Sequence, residues 1–162
     1  MKKTALFITQ AAMIAALYVV LTVFINAFNL ASGAIQVRIS EALTILPYFT
    51  PAAIPGLFVG CLISNLVTGC LPMDVVFGSL ATLIGAVGTY LLRKYKFAAP
   101  VSPILANMAI IPFVLLYVYN LTDAYWFLVV TVGIGEVISC GLLGMILLFA
   151  LEPYKEVIFK RS

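Results

Sequence analysis

Residues 40–70, SEALTILPYFTPAAIPGLFVGCLISNLVTGC, decide how many times this chain crosses a membrane. One helical crossing takes about 20 apolar residues, so the stretch is long for one passage and short for two. Proline removes a backbone donor and breaks a helix interior. Pro47, Pro51 and Pro55 therefore place a break in the middle and predict two short or tilted helices, over 40–50 and 53–69.

The rest of the chain puts that stretch in a membrane. Of 162 residues, 64% are apolar and 9% charged, with a mean hydropathy of +1.19. Soluble domains carry roughly 45–50% apolar residues. A soluble chain of this length could not hide so much apolar surface, so a polytopic membrane protein with one domain over 1–162 is expected. The runs 5–26, 74–92, 101–119 and 124–150 are each long enough to cross. Pro100 and Pro103 suit a helix start, and Ser40, Asp74 and Asp123 stand where N-caps are expected. Lys2-Lys3 before an apolar run resembles a secretory signal. Residues 5–25 outrun the roughly 7–15 residues of a signal's apolar core, however, so the run reads as the first transmembrane helix.

Charge orients the bundle. With six crossings and a cytoplasmic N-terminus, the inner face holds Lys2, Lys3, Arg93, Lys94, Lys96, Lys155, Lys160 and Arg161, leaving Arg38 outside. That split is 8 to 1, against 7 to 2 for five crossings, and the positive-inside rule favours six. The expected fold is an all-α membrane protein, a compact six-helix bundle with both termini cytoplasmic. The net charge of +3 sits in membrane-flanking clusters, which indicates topology control rather than nucleic-acid binding.

What the chain lacks narrows the function. It has no His, no metal-ligand cluster, no phosphate-binding Gly-rich loop ending in Lys-Ser/Thr, and no nucleophile–base constellation, so neither an enzyme nor a cofactor is expected. Cys61, Cys70 and Cys140 have no paired spacing and read as packing residues. No duplicated half of the inverted-repeat kind is visible.

The polar residues inside the apolar runs are the site candidates. Glu136 lies within the last run, and a carboxylate in a membrane marks function by default. At about 1.5 Å per residue it sits roughly 18 Å below the outer end of its helix. Asn107 is 12 residues from 119 as Glu136 is 12 from 124, so an antiparallel hairpin puts both at similar depth. Asn65 is either a contact for a ligand or a bond between helices. Arg38 and Glu41, three apart, are either a surface salt bridge or site groups, and Asp74 and Asp123 are either caps or site groups. Tyr117, Tyr119, Tyr125 and Trp126 fit an interfacial belt as well as ligand stacking. Ala11, Ala12, Ala15 and Ala16 leave a smooth strip on the first helix, for packing within the bundle or against a partner.

Three segments, VRISEALTILP (37–47), DVVFGSLATLIGA (74–86) and GIGEVISCGLLG (133–144), resemble the QueT family in the same order along most of the chain. These are queuosine-precursor-binding S components of energy-coupling factor (ECF) transporters. The resemblance implies a six-helix subunit, open to the outside, that captures a vitamin-like solute. It then topples on a transmembrane coupling subunit driven by two cytoplasmic ATPases. The resemblance also implies that the alanine strip docks on the coupling subunit, and that Gln36, Arg38, Ser40 and Glu41 form a gate over the pocket. The solute implied is a 7-deazaguanine such as preQ1, or queuine. Its N1–H and amino donors suit one carboxylate, for which Glu136 is the candidate, with Asn107 or Asn65 supplementing. Asp74, Asp123 or Glu41 would face the ammonium of preQ1, and Tyr125 or Trp126 would stack on the base. An S component for another vitamin or purine and a structural membrane protein without ligand are the alternatives.

Overall fold

The chain breaks between Tyr48 and Ala53, around Pro51, with Pro47 inside the segment ahead of the break and Pro55 in the first turn of the helix after it, and the segment ahead winds more tightly than an α-helix. The computed structural model describes residues 2–27, 38–120 and 122–159. Gln36, Lys160 and Arg161 lie outside the described residues. Helix α1 (Lys2–Ala27) is followed by a 3-10 helix (Ile39–Tyr48), then α2 (Ala53–Val67), α3 (Pro72–Leu91) and α4 (Val101–Tyr117). The last rod runs without interruption through α5 (Tyr125–Glu136), a π-helical segment (Val137–Leu143) and α6 (Gly144–Leu151), with a short α7 (Lys155–Ile158) at its foot.

Three stretches, Lys3–Ala27, Pro72–Lys94 and Tyr125–Ile158, are long and apolar enough to cross a membrane. Ala53–Val67 and Val101–Tyr117 are apolar but shorter. The lipid-facing sides carry large side chains such as Phe24, Phe77, Phe113 and Ile146, all exposed on the bundle. The chain is an all-helical, multi-pass membrane protein.

The sequence predicted a short or tilted helix over 40–50, and the structure has a 3-10 helix over Ile39–Tyr48. At about 2.0 Å per residue its 10 residues reach about 20 Å, further than an α-helix of the same length. Every residue from Ser40 to Pro47 is buried, so this rod threads the middle of the bundle. It touches α1, α2, α3, the π segment and α6. Around it α1 packs on α2, α2 on α3, α3 on α4, and α4 on α5.

Small residues set these approaches. A Cβ at Gly60 would lie 2.8 Å from Tyr18 Cβ and 3.0 Å from the Ala15 backbone, so only glycine lets α2 come this close to α1. Gly85 does the same for α3 and α4, where a Cβ would meet Pro103 at 2.7 Å.

The expected N-caps do not form. Ser40 lies inside the 3-10 helix, whose cap position is Arg38, and Ala124 rather than Asp123 precedes α5; neither cap makes a side-chain bond. Asp74 sits in the first turn of α3, after Leu71 and Pro72. Pro72 has no N–H to be capped, and the carboxylate instead accepts a hydrogen bond from the Tyr119 hydroxyl at 2.7 Å. Burial and this bond to Asp74 push the Tyr119 phenol above its ordinary value.

At the opposite end the chain terminus is tied to the bundle. Thr50 donates to Gln10 Oε1 at 3.0 Å, the Gln10 amide donates to the Ile158 carbonyl at 3.4 Å, and the Phe49 and Phe159 rings stack with centroids 5.0 Å apart. Lys96 donates to both oxygens of Glu152, at 2.6 and 2.8 Å, and the bond raises its ammonium above the usual range.

Candidate functional site

The 3-10 helix carries Glu41 into the centre of the bundle, where it is 1% exposed. A carboxylate so placed must find donors. Its Oε1 accepts from the hydroxyl of Tyr18 on α1, itself 1% exposed. Among the described residues its Oε2 has no hydrogen-bond partner.

Glu136, at the last residue of α5, comes in from the other side and is 6% exposed. The π segment begins at the next residue, and the widened turn faces Ser139 and Cys140 inward. Cys140 donates to Glu136 Oε2 at 3.1 Å and approaches the Glu41 carbonyl at 3.5 Å. Ser139 Oγ accepts from the Arg38 backbone N–H at 3.1 Å, which fixes the entry of the 3-10 helix against the π segment. Ligand atoms of Glu41, Glu136 and Cys140 lie within 4.8 Å of one another. This trio is the one arrangement among the described residues that could hold a metal ion.

Asn107, buried on α4, lies beside both carboxylates. Arg38 is half-buried and close enough for its charge to reach Glu41 and Glu136. It forms no ion pair with Glu41; among the described residues that contact is made by Lys96 and Glu152. Arg38, Glu136, Ile111 and Val132 line a cavity of about 20 Å³, room for one water molecule.

Two threonine hydroxyls stand at the edge of the cluster. Thr44 bonds the Glu41 carbonyl at 2.6 Å, and Thr82 bonds the Gly78 carbonyl at 3.1 Å and Cys61 Sγ at 3.4 Å. The Asn65 amide reaches Cys61 Sγ at 3.6 Å and packs into the space left by the missing Cβ of Gly78, close to Asp74.

The structure thus brings Glu41, Glu136, Asn107 and Arg38 together, with Asn65 and Asp74 on the neighbouring flank. It does not bring Asp123, Tyr125 or Trp126 to them. Trp126 is 75% exposed and Tyr125 packs on Phe113 and Trp126. Tyr125 is 11 residues from Glu136, about 16 Å along the rod.

The alanine strip divides. Ala15 is buried and Ala11 half-buried, both against the glycines of α2, where a Cβ at Gly56 would meet the Ala11 carbonyl at 2.7 Å. Ala12 and Ala16 are exposed. Tyr18, Thr82 and Cys140 are the site residues that sequence reasoning missed. Cys140 had a signal, since it stands four residues after Glu136 and so on the same face.

The QueT transporter family matches residues 8–153. Over 98 residues the chain is 36% identical to the queuosine precursor transporter QueT of Lactococcus lactis subsp. cremoris, an alignment that covers 59% of this chain. It spans 57% of that relative's length. No solved structure matches the chain significantly.

Proposed function

This chain belongs to the QueT transporter family, and from that premise we propose that it is the substrate-binding S component of an ECF importer for a queuosine precursor, preQ1 or queuine. The relative's name speaks of the same class of solute. The observation that carries the reading is the polar cluster itself: the carboxylates of Glu41 and Glu136 and the amide of Asn107, all buried in the bundle, with the half-buried Arg38 guanidinium beside them. Such groups are expensive inside a membrane and are kept there for solutes or ions.

Glu136 accepts the N1–H and amino protons of the base, a charge-assisted pair that one carboxylate can take together. Asn107 supplements it. Six crossings are counted by including the 3-10 helix and the two shorter helices with the three long spans. Both termini then lie in the cytoplasm, where the positive-inside rule puts Lys3, Arg93, Lys94 and Lys96. Solute enters from outside, near Arg38.

A bicyclic base does not fit a cavity of about 20 Å³, so the described arrangement is a closed one. Binding then requires the 3-10 helix and the π segment to part, and the bond between the Arg38 N–H and Ser139 Oγ spans that seam. The chain carries no phosphate-binding loop, so accumulation depends on a coupling subunit and two ATPases. The exposed Ala12 and Ala16, with the neighbouring Ala11 and Ala15, provide the docking strip.

The test is calorimetry of purified protein with preQ1 and queuine, alongside solute uptake by Glu136→Gln. Binding of either compound, with uptake lost in the variant, is the expected result. A variant that shifts thermal stability but leaves the uptake of every solute intact would make Glu136 a structural bond only.

A further inference from the structure

Glu41, Glu136 and Cys140 bring three potential metal ligands to one point from two separate elements. Glu41 stands on the 3-10 helix, whereas Glu136 and Cys140 stand four residues apart on the last rod, across the start of the π segment. All three are deeply buried, at 1%, 6% and 1% exposed. We propose that they form a zinc-class transition-metal site that clasps the 3-10 helix to the last rod and holds the bundle closed. The site goes beyond the transport reading; only the competition with solute described below rests on that reading.

The spacing suits such an ion. Ligand atoms of the three residues lie within 4.8 Å of one another, and Cys140 Sγ is already 3.1 Å from Glu136 Oε2. A tetrahedral Zn²⁺, about 2.1 Å from oxygen and about 2.3 Å from sulfur, holds its ligand atoms about 3.4–3.6 Å apart. A swing of the Glu41 side chain by about 1.4 Å or less closes the triangle. The fourth position falls to water, for which the cavity of about 20 Å³ beside Glu136 has room.

Two acids and a thiol can be mere neighbours, and a further feature marks this set as a site. Glu41 Oε2 is buried without a hydrogen-bond partner among the described residues, while Oε1 of the same carboxylate accepts from Tyr18. Buried carboxylates are paired or bind metals. Charge points the same way. With Cys140 as thiolate, three negative groups face one positive group, Arg38, whose charge reaches both carboxylates. A divalent cation brings the set to neutrality, which relieves the cost of uncompensated buried charge. Binding replaces the S–H bond with a sulfur–metal bond and releases the thiol proton to solvent. The donors also select the ion. Mg²⁺ and Ca²⁺ take six or more oxygen ligands, and Cu⁺ prefers sulfur throughout, whereas Zn²⁺ and Co²⁺ accept thiolate and carboxylate together.

Glu136 cannot serve an ion and a base at once, so the two are alternative occupants of the cluster. The ion ties together the two elements that solute must part, and zinc therefore blocks capture.

The experiment titrates the purified, chelator-treated full chain with Co²⁺ and follows the visible and near-ultraviolet absorption. A single ion per chain is expected, with a sulfur-to-cobalt charge-transfer band, and Zn²⁺ should displace it. The band should vanish in Cys140→Ser and persist in Cys70→Ser, and Glu41→Gln should weaken binding about tenfold or more. Calorimetry of Zn²⁺ binding in buffers of different ionisation heat should count about one proton released. PreQ1 at about a hundred times its Kd should raise the apparent Kd for Zn²⁺ about a hundredfold. Absence of the charge-transfer band in wild type would overturn the site, and that spectrum decides even where a variant does not fold. A band retained in Cys140→Ser would overturn it as well. Zinc and preQ1 bound together at unchanged affinities would overturn the shared use of Glu136. A cobalt band in a protein that binds neither preQ1 nor queuine would uphold the metal site and remove the transport reading instead.

Discussion

Tyr18 of α1 and Glu41 of the 3-10 helix, 23 positions apart in sequence, meet in the middle of the bundle with hydroxyl hydrogen on carboxylate oxygen. Each is 1% exposed. Tyr18→Phe keeps the shape of the core and removes the hydroxyl that Glu41 Oε1 accepts. Leaving a buried charged acceptor unsatisfied costs about 1–3 kcal/mol. The melting temperature in detergent should fall accordingly, and preQ1 should restore more of it than it adds to wild type. An unchanged melting temperature would show that Tyr18 does not support the carboxylate.

Gly60 sets how close that pair can come. A Cβ there would be 2.8 Å from Tyr18 Cβ and 3.0 Å from the Ala15 backbone. Gly60→Ala should push α1 away from α2, destabilise the fold by about 1–3 kcal/mol and weaken ligand binding with it. Thermal melts and calorimetry on the same preparation check this. Loss of stability with full affinity would mean that the α1–α2 contact does not position Tyr18.

The division of the alanine strip separates docking from packing. Ala15 is buried on α2, so Ala15→Leu should impair folding itself. Ala12 is exposed, so Ala12→Leu should leave solute affinity within about twofold and remove uptake by holding the coupling subunit off. Affinity that falls in step with uptake in Ala12→Leu would place that residue in the bundle's own packing.

The parts of this site legible in the sequence are those with one strong local cue. Glu136 stands out as an acid in an apolar run, and Asn107 follows from counting residues back from the hairpin loop. Glu41 was visible as a charge, but its depth was not. Read as the first turn of an α-helix it belongs at the surface beside Arg38, whereas in the 3-10 helix it lies at the centre of the bundle. The prolines told of a break without telling of the tighter winding before it, because that winding depends on five neighbouring elements. Tyr18 and Thr82 look like ordinary members of apolar helices, and only tertiary contact turns their hydroxyls into site groups. The N-caps expected of Ser40 and Asp123 failed for a local reason: each helix starts at a residue other than the one that the sequence pattern favoured.

Closure of the cluster has a kinetic consequence. With space for about one water beside Glu136, the base can bind only after the seam between Arg38 and Ser139 opens. Association of preQ1 in stopped-flow fluorescence should therefore be slower than about 10⁵ M⁻¹s⁻¹, the lower end of unhindered docking rates, and should level off at high ligand concentration. Ser139→Ala removes the bond across the seam and should raise the plateau. A rate that climbs linearly near the diffusion limit would contradict a closed resting state.

The central claim is that the buried carboxylates hold a queuosine precursor. Mass spectrometry of small molecules that co-purify with the wild-type protein and with Glu136→Gln, from cells supplied with preQ1 and queuine, tests it most directly. The expected result is a 7-deazaguanine carrying an aminomethyl arm in the wild-type sample and its loss from a variant that still elutes as a folded bundle. A different vitamin in the wild-type sample, or a 7-deazaguanine retained in full by Glu136→Gln, would contradict it.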